Sequence, residues 1–305
     1  MLDYPALAAV SAVVREGTFE RAADRLGVTP SAVSQRIRAL EERLGGIVIV
    51  RGQPCLPTDL GRKLCAHVDQ VQLLEADLAP ALSFAGDQLN TPVTLKVAVN
   101  SDSIATWFPE AAAKFSRDTG YLLEFIIEDE AHTADRLRSG EVIAAVSADP
   151  GTVQGCKTIE LGSLQYLACC SPEFAQRHFP AGVSEDALRR APCLRFERRD
   201  GLQARWARET HAIELDAPMH WVPSTFGFLN FGIAGMAWGM HPAMIAKPRI
   251  AEGLLVELTP GTPLDVKLYW TVTRLHASAL RTFTDAVRRT AKNYLGQHGQ
   301  MARDH

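Results

Sequence analysis

The stretch Phe19-Glu20-Arg21-Ala22-Ala23-Asp24-Arg25-Leu26-Gly27-Val28-Thr29-Pro30-Ser31-Ala32-Val33-Ser34-Gln35-Arg36-Ile37-Arg38-Ala39-Leu40-Glu41 decides the reading of this chain. Thr18 is placed to cap a short helix over Phe19 to Leu26, in which the small pair Ala22-Ala23 allows close packing. Gly27 suits a left-handed turn position. Thr29 is a natural N-cap and Pro30 a natural first helical residue. A third helix then runs from Pro30 to Leu44, with Val33, Ile37, Leu40 and Leu44 as its apolar stripe, and Gly45-Gly46 stops it. Ser31, Ser34, Gln35, Arg36 and Arg38 lie off that stripe. Two short helices, a tight turn and a third helix with polar residues at its start form the helix-turn-helix pattern.

Outward from this stretch, Leu7, Val10, Val13 and Val14 give an earlier helix that Gly17 ends. Downstream, Ile47 to Arg51 reads as a strand, Gly52-Gln53-Pro54 as a turn, and Leu56-Pro57 as the return: a two-stranded wing that carries Arg51. Thr58 caps a long helix from Asp59 to about Phe84. Its Leu60, Leu64, Val68, Val71, Leu74, Leu78 and Leu82 step by three or four, which we read as a dimerisation stripe. The alternative is an ordinary helix packed on its own domain. Residues 86–92 are a polar linker. From Val93 onward, strands alternate with helices, which implies a parallel sheet. The expected strands are Val93–Val99, Leu122–Ile127, Val142–Val146, Tyr166–Cys170, Cys193–Phe196, Trp221–Val222, Met236–Met240 and Lys267–Val272. Helices are expected from Ile104, through Arg138, near Phe228–Ile233 and over Ser278–Leu295.

Bulk properties narrow the function classes. A chain of 305 residues exceeds one comfortable core. Its net charge of −3 excludes a general polycation, and residues 1–63 hold nine Arg/Lys against seven Asp/Glu. Affinity for nucleic acid must therefore rest on pattern rather than on bulk charge. No apolar run reaches membrane-spanning length and the N-terminus lacks a basic, apolar leader, so a cytoplasmic protein without membrane contact is expected. The six cysteines form no C-x-x-C pair and no zinc spacing, and read as small buried hydrophobes. The vicinal Cys169-Cys170 leaves a redox-sensing reading open. There is no G-x-S-x-G elbow and no P-loop. The spacing of Gly232, Gly235 and Gly239 is wrong for a dinucleotide fingerprint. His241 before Pro242 reads as structural. No enzyme, metal or cofactor is expected.

Phe19 to Ala23 with Val28 to Glu41 resembles the helix-turn-helix signature of the LysR-type transcriptional regulators. Arg51 and Pro57-Thr58-Asp59-Leu60-Gly61 resemble the wing and linker-helix start of that family. In order, length and layout the resemblance covers the whole chain. It implies an α/β protein: an N-terminal winged helix-turn-helix (1–57), a linker helix and hinge (58–90), and a periplasmic-binding-protein-like effector domain (91–305). That domain would have two α/β subdomains, about 91–162 with 266–305 and about 163–265, with an effector in the cleft between them. The resemblance further implies binding to double-stranded operator DNA, a dimer assembling to a tetramer, and leaves room for RNA polymerase as a partner.

A finer resemblance is to the arginine/lysine-responsive, ArgP/LysG-like subgroup. It rests on Asp3-Tyr4, Arg15-Glu16, Val71 to Glu75, Ala98-Val99-Asn100-Ser101-Asp102-Ser103-Ile104-Ala105-Thr106-Trp107, Glu128-Asp129-Glu130, Gly140 to Ser147 and Leu258 to Gly261. Phe226–His241 departs from a confident match. The subgroup implies a basic amino acid as effector and an amino-acid exporter gene as target.

For DNA, Ser31, Ser34, Gln35 and Arg38 are placed to face the groove, where Gln bonds an adenine edge and Arg a guanine edge. Arg36 and Arg51 would hold phosphates, and Thr29 and Pro30 at the helix start are counted with the DNA-binding residues. For the effector, ligands of open α/β sheets sit at the carboxyl ends of strands. Asn100 to Ser103 follows a strand and opens a helix, which favours an α-carboxylate. Ser101, Ser103 and Thr106 add hydroxyls there. Glu128, Asp129, Glu130 and Asp102 supply negative charge for a cationic side chain, although acidic residues at a helix start need no ligand to explain them. Trp107, at the end of the same stretch, is counted with the effector residues, and Ser147 and Thr225 are weaker candidates. Two other readings stay open: a thiol-sensing regulator of the same fold, and an amino-acid-sequestering or architectural DNA protein.

Overall fold

A computed structural model of the chain describes residues 2–78, 93–127 and 130–296. Three helices open it: α1 (Tyr4–Glu16), α2 (Phe19–Leu26) and α3 (Pro30–Leu44). Each starts on the cap that its sequence offers, with Asp3, Thr18 and Thr29 accepting from the backbone N–H of Ala6, Arg21 and Ala32. Leu7, Val10, Val13, Ala22, Ala23, Val33, Ile37 and Leu40 close into one core. The wing, β1 (Ile49–Val50) and β2 (Leu56–Pro57), pairs antiparallel. The Glu41 carboxylate at the end of α3 accepts from Val48 N at 2.9 Å and anchors the wing to that helix.

Helix α4 spans Asp59–Leu78, and residues 79–92 lie outside the described residues, so the expected helix end near Phe84 and the linker over 86–92 fall there. The predicted leucine stripe divides. Leu60, Leu64 and Val68 pack into the N-terminal core, while Leu73, which is off the stripe, joins the core of the C-terminal half. Leu74 and Leu78 stay exposed. The first half of the stripe is thus used within the chain, because α1 and the wing cover it. Ion pairs and hydrogen bonds fasten α4 further: Asp69 pairs with Arg15 and Lys96, and the Asp77 carboxylate accepts from Ser278 N at 2.7 Å.

The C-terminal half begins with β3 (Thr94–Val99), α5 (Ser101–Ala105), α6 (Phe108–Thr119), β4 (Leu122–Ile127), α7 (Glu130–Ser139) and β5 (Ala144–Ser147). β4, β3 and β5 lie parallel in that order. The single helix expected from Ile104 is two. Pro109 sits in the first turn of α6, and its missing N–H and its ring prevent α5 from running on.

β6 (Cys156–Cys170) is 15 residues long, far beyond the expected Tyr166–Cys170. After it come α8 (Pro172–His178), α9 (Glu185–Arg190), β7 (Cys193–Arg195), α10 (Leu202–His211), β8 (Met219–Trp221) and α11 (Thr225–Ile233). The chain continues with β9 (Gly239–Pro242), α12 (Ala243–Ala251), β10 (Val256–Glu257), β11 (Leu264–Thr273) and α13 (Ser278–Tyr294). β11 runs antiparallel to β6 over ten residue pairs and also pairs antiparallel with β5. β9 and β10 pair antiparallel with β6. The sheet is therefore mixed rather than parallel, since the crossover strands run against their neighbours.

The core of this half is aromatic. The Phe115 and Phe283 rings stack at 4.4 Å, Trp270 meets Phe283 at 5.3 Å, and Trp107 meets Phe108 at 5.5 Å. Such pairs add about 0.5–1.5 kcal/mol each beyond their burial. Two of the indole N–H groups are satisfied within it, Trp107 donating to Ser103 Oγ at 3.0 Å and Trp270 to Thr284 Oγ1 at 3.1 Å, while that of Trp238 is buried without a partner among the described residues.

Gly61 is the tightest contact between wing and α4: a Cβ there would lie 2.1 Å from the Val48 carbonyl oxygen. Neither backbone can yield without breaking the Thr58 N–H bond to Val48 O. Gly61→Ala should therefore lower stability by about 2 kcal/mol or more, read as a lower urea midpoint of the N-terminal transition.

Candidate DNA interface and ligand cavity

On α3, Ser31, Gln35 and Arg38 are exposed, while Ser34 and Arg36 are half-buried. Thr29 and Pro30 set the helix start and are exposed there. Arg38 Nε pairs with Glu42 at 3.0 Å within the helix, a surface pair worth little and easily exchanged for another partner. On the wing, exposed Arg51 lies over the Phe19 ring at 5.1 Å, so the start of α2 positions its guanidinium.

The second site is a cavity of about 240 Å³. Asn100, Ser101 and Asp102 enter it from the end of β3 and the start of α5, and Thr225 and Phe228 from α11. Tyr166 of β6, His241 of β9, Phe196, Glu197 and Arg199 to Leu202 complete most of the wall. Asp102 stands at its centre. Thr225 Oγ1 donates to Asp102 Oδ1 at 2.7 Å, and Tyr166 OH donates to Oδ2 at 2.5 Å. Ser101 Oγ also meets Thr225 Oγ1 at 3.0 Å. The turn after β3 is thereby hydrogen-bonded to α11 and to β6.

Burial pushes the Asp102 carboxyl above its ordinary range, and nearby Asp200 pushes the same way. The two hydroxyl bonds pull it down. The Tyr166 phenol is driven well above its ordinary value by burial and by the Asp102 charge, so it remains a donor. Asp200 is held by its own backbone: Phe196 N and Leu202 N donate to it at 2.9 and 3.0 Å. Among the described residues no Arg, Lys or His lies at ion-pair distance from Asp102.

Of the predicted effector residues, the structure brings Asn100, Ser101, Asp102 and Thr225 together and turns four others away. Ser103 and Trp107 are buried and bond each other beneath α5, because a one-turn helix shows one side to the cavity and the other to the core. Thr106 Oγ1 donates to the Asp102 carbonyl at 2.6 Å and closes the helix end. Ser147 Oγ donates to the Asp149 carbonyl at 3.0 Å, and the neighbouring Ala148 lines the cavity instead. Glu128 and Asp129 lie outside the described residues, as does the side chain of Glu130. Tyr166, Asp200, Phe228 and His241 were not among the predicted residues. The poorly matching stretch Phe226–His241 was the one signal for the last two.

All six cysteines are buried. Burial pushes the Cys170 thiol up to about 12, those of Cys65 and Cys193 to about 11, and Cys169 higher still. Cys169 and Cys170 alternate along β6 into different apolar clusters. Thiols kept protonated in this way are poor nucleophiles, which removes the support for a redox-sensing reading.

A winged helix-turn-helix ahead of a mixed α/β domain with a built cavity defines a ligand-responsive transcription regulator. The comparisons agree: the model for bacterial regulatory helix-turn-helix proteins of the lysR family matches residues 5–62, and that for the LysR substrate binding domain matches residues 92–292. The chain belongs to the LysR family of transcriptional regulators and is not an enzyme. It is 41% identical over 298 residues to the HTH-type transcriptional regulator ArgP of Pseudomonas fluorescens (strain Pf0-1), covering 97% of this chain and 99% of that one. The crystal structure of ArgP from Mycobacterium tuberculosis superposes with a TM-score of 0.79 at 39% identity, over 97% of this chain and 100% of that chain. Full-length LysG from Corynebacterium glutamicum with bound effector Arg superposes with a TM-score of 0.67 at 32% identity, again over 97% and 100%.

The raised Asp102 carboxyl makes a pH prediction. The folded chain holds that proton more tightly than the unfolded chain, whose value is near 3.8. The group's contribution to stability is therefore present below 3.8 and is lost as pH rises through the raised folded value. Asp102→Asn keeps an acceptor without the charge. In the ligand-free protein it should raise the melting temperature at pH 7, and the gap over the parent should shrink towards pH 4.

Proposed function

We propose that this regulator senses a basic amino acid, lysine or arginine, in the cavity around Asp102 and controls a gene for amino-acid export. The observation that carries this reading is the Asp102 carboxylate, buried with two hydroxyl donors and no cation at ion-pair distance among the described residues. A buried charge without a counter-ion is costly, and a cationic ligand supplies the missing partner. Asn100 and Ser101 stand beside it at the turn after β3, where they can receive the polar backbone of an amino acid. The bound Arg named for the C. glutamicum LysG structure supports the same ligand class.

The cation would compete with Thr225 and Tyr166 for Asp102. Since Thr225 opens α11 and Tyr166 belongs to β6, the competition falls where the two halves of the C-terminal domain meet. A ligand that binds one arrangement of these halves better than another shifts the population between them and so alters the presentation of the DNA-binding domains. Exposed Leu74 and Leu78 on α4 suit pairing of that helix with a second copy, and a dimer assembling to a tetramer gives two or four helix-turn-helix units. On DNA, Ser31, Ser34, Gln35 and Arg38 read base edges, and Arg36 and Arg51 hold phosphates.

Two experiments test this. Calorimetric titration of the full chain with L-arginine and L-lysine, with L-leucine and L-glutamate as controls, should give heat only with the basic pair. Asp102→Ala should weaken that binding by about 10- to 100-fold, the loss of one charged hydrogen-bonded pair. No heat with either basic amino acid would sink the reading. On operator DNA, Gln35→Ala should cost about 1–3 kcal/mol of specific binding. Arg51→Ala should weaken specific and non-specific DNA alike and lower the salt slope by about 1.

A further inference from the structure

Arg15, Arg25 and Arg38 of the N-terminal domain each pair with a carboxylate, those of Asp69, Glu16 and Glu42. Arg51 on the wing does not. Among the described residues its exposed guanidinium has no hydrogen bond and no ion pair, and it lies instead over the Phe19 ring, 5.1 Å from the centroid. The difference matters for an anion. A carboxylate occupies N–H donors, which must be released before a phosphate can take them. A ring occupies only the flat face of the guanidinium and leaves the five N–H donors around its edge open. It also restricts a long, exposed side chain in advance, so less freedom is lost when the phosphate binds.

Both partners of this stack rest on one turn. Phe19 opens α2 and packs, half-buried, against the N-terminal core. Two residues earlier the Gly17 carbonyl accepts from Cys55 N at 2.7 Å, and a Cβ on Gly17 would lie 3.2 Å from Pro54 Cβ. The hairpin that carries Arg51 is therefore seated on the turn between α1 and α2, while Glu41 of α3 holds its root at Val48 N. Ring and guanidinium are thus brought together by backbone contacts on either side of them. We propose that Phe19 is a positioning residue for DNA binding, whose ring face holds the Arg51 guanidinium ready for a backbone phosphate while leaving its donors open. This rests on Arg51 being the phosphate contact argued above.

The test is a double-mutant cycle on a short fluorescent DNA duplex of random sequence, since a phosphate contact needs no operator. Full-length wild type, Phe19→Leu, Arg51→Ala and the double variant are titrated by anisotropy. Phe19→Leu keeps apolar bulk and removes the ring, and should lower affinity by about 2- to 5-fold. In the Arg51→Ala background the same substitution should cost less than about 1.5-fold, because the ring then has nothing to hold. Phe19→Tyr, which keeps the ring face, should bind like the wild type. Equal losses in the two backgrounds would make Phe19 a core residue only and overturn the proposal, as would a folded Phe19→Leu with wild-type affinity. Should Phe19→Leu fail to fold, Phe19→Met takes its place in the cycle. Arg51→Ala with unchanged affinity and salt slope is a different outcome: it removes the phosphate reading of Arg51, and the role of Phe19 falls with it.

Discussion

The antiparallel ribbon of β6 and β11 is the constraint on which the C-terminal half depends. Its ten paired residues carry the chain out of the first α/β unit and back into it. β11 then continues the sheet through β5, while the far end of β6 is flanked by β9 on one edge and β10 on the other. Without this ribbon the two units share little backbone pairing. With it, the turn after β3, the start of α11 and β6 meet around one cavity, where the latter two each give one hydroxyl to Asp102 of the first.

That meeting has an electrostatic cost built into it. A carboxylate taken out of water with hydroxyl donors alone is less stable than one paired with a cation. Its two partners come from different elements, so the same bonds that partly satisfy Asp102 also tie those elements together. A site that is under-satisfied when empty responds to its ligand more strongly than one already neutralised, since the gain on binding is larger. The DNA-binding end works differently. Of its candidate side chains Ser31, Gln35, Arg38 and Arg51 are exposed, and the Arg38 pair with Glu42 is a weak surface contact.

Helix α4 belongs to both halves. Leu64 and Val68 complete the core of the winged helix, Leu73 enters the core of the effector domain, and Asp69 and Asp77 reach partners on either side. A helix committed at both ends transmits a change in one half as a change in the direction of the other, with only Leu74 and Leu78 among its stripe residues left exposed on the described portion.

The sequence by itself determined the N-terminal domain almost to the residue. Its helices are short and local, capped by Asp3, Thr18 and Thr29 and stopped by glycines, and local hydrogen bonds obey local spacing. It also placed β3, β4, α13 and four members of the cavity, Asn100, Ser101, Asp102 and Thr225, because strand ends are legible from periodicity and family pattern. Only the tertiary structure decided the rest. The full length of β6 was hidden because a strand crossing two units is buried differently along its course and shows no single alternation. Ser103 and Trp107 looked like site residues until packing turned them inward. Tyr166 lies 64 positions from Asp102, and His241 lies further still. No spacing rule links residues so far apart, since their proximity is set by which strands pair and not by the chain between them.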